Sequence, residues 1–215
     1  MLVYNLRLQP CIILFAKSPI PGRVKTRLQP FLAAADAASL YTAFVSDMLD
    51  RLRSIAGVEL ELHTNIPTDA WSTSGVTTRL QAEGDLALKM FHALDGALLA
   101  GHPRAMIVGS DAPTLPVSHM EALLASKADV ALGPSTDGGY YAVSSRVAHR
   151  DMFKDVPWSS ALTLDRTVAA VGRCGFSVEL GPEWFDVDEP EDLDRLAASP
   201  NLPKRTKEWL LNHGR

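Results

Sequence analysis

The chain has 215 residues, 47% of them hydrophobic, and a formal net charge of −4. That length and apolar content suit one α/β domain with a full core. The charge excludes a global basic field for nucleic acid, and no run of about 18 apolar residues is present to span a membrane. The N-terminus MLVYNLRLQP lacks the basic, apolar and small-residue regions of a secretory signal. Cys11 and Cys174 are expected to be buried thiols, so the expected setting is the cytoplasm.

Strand-like and helix-like segments alternate along the chain. The apolar run CIILFA (11–16) reads as a buried first strand. The loop that follows, from Ala16 to Arg27, carries Pro19 and Pro21, a Gly22 that permits an unusual backbone turn, and the cations Lys17, Arg23, Lys25 and Arg27. A strand breaking into a rigid, basic, glycine-containing loop suits a phosphate group. Lys25, Thr26 and Arg27 are expected at a helix start, where the dipole would add to their charge. The spacing is not that of a P-loop, because GRVKT places two residues between glycine and lysine. A solvated basic turn is the alternative. The cations are expected to stand in solvent, so that neutralising one would leave unliganded stability unchanged.

Helical spacing follows over 32–55, then a second strand at 58–64, a polar loop around Trp71, a short strand at 78–83 and a helix over 85–100. Gly84 and Asp85, at the start of that helix, offer a turn and either a helix cap or a ligand contact. RAMIVGSDAP (104–113) is a buried strand ending at Asp111, at the strand end where ligands of open α/β sheets gather. Its carboxylate suits Mg²⁺ or Mn²⁺ carrying a diphosphate, or equally the cap of a turn. A helix (116–126) and a strand (128–134) come next.

In STDGGYY, Gly138 and Gly139 let backbone approach a ligand, and Asp137 can accept from sugar hydroxyls; a hairpin-like turn explains the same residues. Ser159 or Ser160 is expected to cap a helix over 160–174. A strand (176–180) and a helix (190–198) follow. In FDVDEPEDL, Asp186 and Asp188 are two apart in extended chain and face one side, as a metal pair would. Asp188 with Glu191 also reads as a helix-capping box. The amphipathic tail (203–213) packs on the domain or on a partner, leaving a homo-oligomer open. The fold expected is a three-layer α/β/α sandwich with a mainly parallel sheet, in a single domain (1–215) with its core over about 11–196.

Taken in order, AKSPIPGRVKTRL, EGDLALKM, GSDAPTLP, ADVALGPSTDGGYYAV, VPWSS and FDVDEPEDL resemble the DUF2064 family, over about 11–196. Its members are described as glycosyltransferases, some placed in arsenosugar biosynthesis. The resemblance implies the GT-A fold of the nucleotide-diphospho-sugar transferases, with nucleotidyltransferases such as CMP-KDO synthetase among the relatives. It implies phosphate binding by Lys17, Gly22, Lys25 and Arg27, with Ala16, Pro21, Arg23 and Thr26 in the same loop. It puts Asp111 and Asp188 at the metal, with Asp186 in reserve. Asp137, Gly138, Gly139 and Tyr140 would face the sugar or acceptor. The catalytic set is then Asp111, Asp188 and Lys25.

FAKS stands where the pyrophosphorylase loop has L-x-G-G. With that departure, the family resemblance implies metal-dependent glycosyl transfer from a nucleotide sugar to a small-molecule acceptor. Nucleotidyl transfer from a nucleoside triphosphate is the alternative, and a nucleotide-binding protein without turnover is a third.

Overall fold

A computed structural model describes residues 9–29 and 31–214. The strands are β1 (Cys11–Ala16), β2 (Glu59–Thr64), β3 (Thr77–Leu80), β4 (Ala105–Gly109), β5 (Val130–Pro134), β6 (Tyr140–Ser145) and β7 (Val178–Leu180). The helices are α1 (Ala34–Arg53), α2 (Leu86–Leu99), α3 (Val117–Ala125), α4 (Thr163–Arg173), α5 (Pro190–Ala197) and α6 (Lys204–Asn212). The strands form one sheet in the order β3-β2-β1-β4-β6-β5-β7. Only β6 runs against its neighbours, so the sheet is mainly parallel, as expected.

Alternation along β1 builds the layers. Ile12 and Leu14 face a core with α1 and α3, while Cys11 and Ile13 face a second core with α2 and the β5–β6 side chains. A third apolar cluster lies outside α1. There Leu40 and Phe44 pack against Phe185, Val187 and Leu193, and against Trp209 and Leu210 of α6. The amphipathic tail therefore covers α1 of its own chain. Buried Asp47 ties it down, accepting from the Thr206 amide and hydroxyl at 2.7 Å each.

Among the described residues, no helix is long and apolar enough to cross a membrane. Cys11 is buried and Cys174 only half-buried, and both are free thiols. The segment around Trp71 is less polar than its composition suggests. Trp71 is buried, donates to the Thr42 carbonyl at 3.2 Å and meets Tyr41 edge-on.

The sheet sets the position of the site. β1 and β4 pair in parallel with Phe15 opposite Gly109, so their carboxyl ends, and the loops beginning at Ala16 and Ser110, lie side by side.

Candidate active site

The basic loop does not open a helix. Thr26–Leu28 is a single 3₁₀ turn, and α1 begins only at Ala34. Lys25 itself has left-handed backbone (φ 47°, ψ 42°), and Gly22 has φ 80°. The expected help from a helix dipole is thus absent, because three residues in 3₁₀ geometry align too few peptide dipoles. What the loop supplies is side-chain charge. Lys17, Arg23 and Arg27 are exposed, whereas the Lys25 side chain is only 2% exposed. The expectation of four solvated cations fails at Lys25. The turn aims that side chain inward, over the Phe44 ring, with 5.6 Å from Nζ to the ring centroid.

There the ammonium meets two carboxylates distant in sequence. Nζ donates to the Val187 carbonyl at 2.6 Å and to Asp188 Oδ1 at 2.9 Å, and it is ion-paired with Asp111 Oδ1. A backbone bond fixes the frame: the Val187 amide donates to the Asp111 carbonyl at 2.9 Å. Burial alone would pull the ammonium down, but Asp111 and Asp188 outweigh it and hold Lys25 above the ordinary lysine value. Burial likewise works to raise Asp188, and Lys25 overrides it, so the Asp188 carboxyl stays below the usual carboxylate range.

Asp188 is not the cap of α5. The cap position is Glu189, and Asp192 in the first turn completes the capping box, accepting from the amides of Glu189 (2.8 Å) and Asp188 (3.0 Å). The Asp188 carboxylate is therefore free to face inward. Asp186 has no cation beside it. Burial, then the charges of Asp137 and Asp188, push its carboxyl up to about 7.

These groups line one cleft of about 590 Å³. Of the residues singled out from sequence, Ala16, Lys17, Arg23, Lys25, Thr26, Arg27, Asp111, Asp137, Gly139, Tyr140, Asp186 and Asp188 border it. Pro21, Gly22, Gly84, Asp85 and Gly138 do not. Asp85 caps α2, accepting from the Leu88 amide at 2.9 Å. The turn at 135–139 joins β5 to β6 as a hairpin and still presents Asp137 to the cleft. Asp137 Oδ1 accepts from the Ser135 hydroxyl and the Gly139 amide, leaving its second oxygen. Gly138, at φ 86°, is pressed against Ala161, and its carbonyl accepts from the Leu164 amide at 2.9 Å. This contact props the 158–163 segment as the far wall. α4 starts at Thr163, so Ser159 and Ser160 lie in the preceding turn and border the cleft rather than capping the helix.

Sequence reasoning missed Tyr41, Lys89 and Trp158, which also border the cleft. The Tyr41 hydroxyl accepts from the Lys17 amide at 2.9 Å and bonds Ser110 Oγ at 2.8 Å, joining the two loop origins. In sequence it sits between Leu40 and Phe44 and looks like one more core position of an amphipathic helix. A second hollow, about 640 Å³, lies by α4 between His149, Lys154, Arg166 and Cys174, and no residue of the basic loop or the carboxylate pair lines it.

The donor set fits a hard divalent ion. Asp111 and Asp188 offer oxygen only, with side chains 42% and 41% exposed, and Asp186 adds a further carboxyl in the same cleft. Among the described residues no three His, Cys, Asp or Glu side chains group to hold an ion unaided. Substrate oxygens would have to complete its shell.

A family model described as "Uncharacterized protein conserved in bacteria (DUF2064)" matches residues 48–160. A 2-phospho-L-lactate guanylyltransferase of Haloarcula marismortui is 30% identical over 199 residues, covering 91% of this chain and 90% of that one. An enzyme of the same name from Methanocella arvoryzae is 33% identical over 176 residues, covering 80% and 74%. A solved structure from Desulfovibrio desulfuricans G20, assigned provisionally as a nucleotide-diphospho-sugar transferase, superposes with a TM-score of 0.87 at 32% identity, covering 96% of each chain. The fold is therefore that of the nucleotide-diphospho-sugar transferases, as expected. The expectation of glycosyl transfer is corrected: the curated relatives, matched over most of their length, are named for guanylyl transfer.

Proposed function

This chain belongs to the DUF2064 family, and from that premise we propose that it is a nucleotidyltransferase, joining a nucleoside triphosphate to a small phosphate-bearing acceptor with release of pyrophosphate. The observation that carries the reading is the convergence of Lys25 with Asp111 and Asp188 on the floor of a cleft rimmed by Lys17, Arg23 and Arg27. The names of the curated relatives support guanosine triphosphate as the first nucleotide to try and 2-phospho-L-lactate as the first acceptor. We read residues 1–215 as one catalytic domain. Use of a nucleoside triphosphate fits a cytoplasmic setting.

The chemistry needs little from the protein beyond placement and charge. An acceptor phosphate oxygen attacks the α-phosphorus, the bond to the β-phosphate oxygen breaks, and pyrophosphate leaves. A phosphate monoester is largely ionised at neutral pH, with a second pKa of about 6, so no general base is required. The lack of a base-like histidine among the cleft residues agrees with this. The exposed cations Lys17, Arg23 and Arg27 face the charge that grows on the leaving pyrophosphate. Their charge resides in side chains, so the absence of the L-x-G-G glycines is no bar to phosphate binding.

The Lys25 ammonium lies buried beneath this rim, held by the two carboxylates. Asp111 and Asp188 would hold Mg²⁺ or Mn²⁺, which would neutralise triphosphate oxygens and polarise the reacting phosphorus. Tyr140, Trp158 and Lys89, with Asp137, bound the part of the cleft left for the acceptor.

The test is pyrophosphate release from each of the four nucleoside triphosphates with Mg²⁺ or Mn²⁺ and a panel of phospho-acids and sugar phosphates. Release that depends on both nucleotide and acceptor supports the reading. No release with any pair, alongside release of nucleoside diphosphate from a nucleotide sugar, would refute it.

A further inference from the structure

Lys25 differs from the other cations of its loop. Its side chain is buried, and its ammonium occupies the point on which Asp111 Oδ1, Asp188 Oδ1 and the Val187 carbonyl converge. Three oxygens, two of them anionic, around one positive centre describe a cation site as much as an ion pair.

We infer that Lys25 is a resident counter-cation that a divalent ion displaces. In the unliganded protein the ammonium holds the two carboxylates together. When the ion takes them, the ammonium is released toward the cleft and becomes available to phosphate. The inference rests on the reading that Asp111 and Asp188 are the metal ligands.

The charges argue for exchange rather than coexistence. Asp111 and Asp188 bring two negative charges. One ammonium leaves an excess of one, and a divalent ion balances both. Ammonium and metal bound to the same two oxygens would set three positive charges against two, at contact distance and partly out of water. The side chain is also built to move. Its backbone is pinned by the loop turn, but four rotatable carbons carry the ammonium. Metal entry then has a cost, the loss of the ammonium's bonds to the pair, which phosphate oxygens repay. An ion arriving with its nucleotide is favoured over an ion arriving alone.

Two measurements test this. In the first, Mn²⁺ binding without nucleotide is followed by electron paramagnetic resonance for the native protein and for Lys25→Met. Removal of the competing ammonium is expected to tighten Mn²⁺ binding at least tenfold. In the second, the native protein is treated with an amine-modifying reagent and Lys25 modification is read by mass spectrometry, with chelator, with saturating Mn²⁺, and with Mn²⁺ plus nucleoside triphosphate. Lys25 is expected to be protected with chelator, modified several-fold faster with Mn²⁺ alone, and protected again by nucleotide. The native-protein experiment decides the matter even if Lys25→Met folds poorly. Mn²⁺ that binds while Lys25 stays protected, or binds no tighter to Lys25→Met, overturns the exchange and leaves the metal site standing. No Mn²⁺ binding to the native protein, with or without nucleotide, overturns both.

Discussion

Replacing Lys25 by methionine keeps most of the side-chain volume and removes the charge, and its effect on unliganded stability can be worked from the contacts. The ammonium is 2% exposed and donates to the Val187 carbonyl and to two carboxylates. Breaking a fully buried ion pair costs roughly 3–5 kcal/mol. Here the carboxylates are 42% and 41% exposed, so water takes up part of their charge. The carbonyl loses a hydrogen bond from a charged donor, worth about 1.5–3 kcal/mol. Relief from burying the ammonium offsets some of the loss. A net destabilisation of about 2–4 kcal/mol follows, or roughly 6–12 °C in melting temperature at about 3 °C per kcal/mol for a chain of this size. The assay is thermal unfolding in chelator near neutral pH, with a urea titration to check that the slope is unchanged. A Lys25→Met protein that melts with the native one would show that the ammonium is not held between the carboxylates, and the site geometry would be wrong.

Four other outcomes are expected. Arg27→Ala should leave unliganded melting within about 3 °C, because its pair with Glu189 at 3.2 Å is exposed and such pairs contribute under about 1 kcal/mol; its nucleotide affinity should fall by about 1–3 kcal/mol in a calorimetric titration. Asp188→Asn should keep the fold, since the capping box of α5 is built by Glu189 and Asp192 and not by Asp188, while metal-dependent turnover collapses; near-normal turnover would remove Asp188 from the metal. Asp186 titrates at about 7 in the fold against 3.8 in the unfolded chain, so the fold binds its proton more tightly and stability should decline as pH rises from about 4 to 7; Asp186→Asn should abolish that decline in chelator and gain at most about 4 kcal/mol at pH 8, read by urea unfolding. Gly138→Ala places a methyl 2.3 Å from the Ala161 carbonyl oxygen at φ 86°, which should cost about 2–5 kcal/mol and shift the tryptophan fluorescence through Trp158.

The layers of the fold were legible because alternation is a local property. CIIL and AMIVG are apolar runs flanked by turn residues, and parallel pairing of such strands with helices on both faces is nearly forced. Helix starts were less legible. Ser159 and Ser160 carry capping side chains, yet the chain turns once more before Thr163, and the capping box of α5 falls one residue later than Asp188, on Glu189 and Asp192. The candidate site was legible as a set of loops at strand ends, but not as contacts. Nothing local to GRVKT says that Lys25 turns inward while Arg27 stays out. That depends on a left-handed backbone at Lys25 and on Val187 and Asp188, some 162 and 163 positions away. Tyr41 was hidden for the opposite reason, since its ring is a core residue and only its hydroxyl reaches the loops. The reaction type is misread from sequence because the description of the family's members and the missing L-x-G-G glycines outweigh the cations of the same loop.

The central claim is that the bond broken lies between the α- and β-phosphates. It is tested most directly by following two radiolabelled forms of one nucleoside triphosphate, labelled at the α- or the γ-phosphate, through a reaction with the accepted phospho-acid. The account predicts that α-label moves into a new diphosphate-linked product while γ-label appears only in pyrophosphate. Release of γ-label as inorganic phosphate, with α-label left in nucleoside diphosphate, would contradict it.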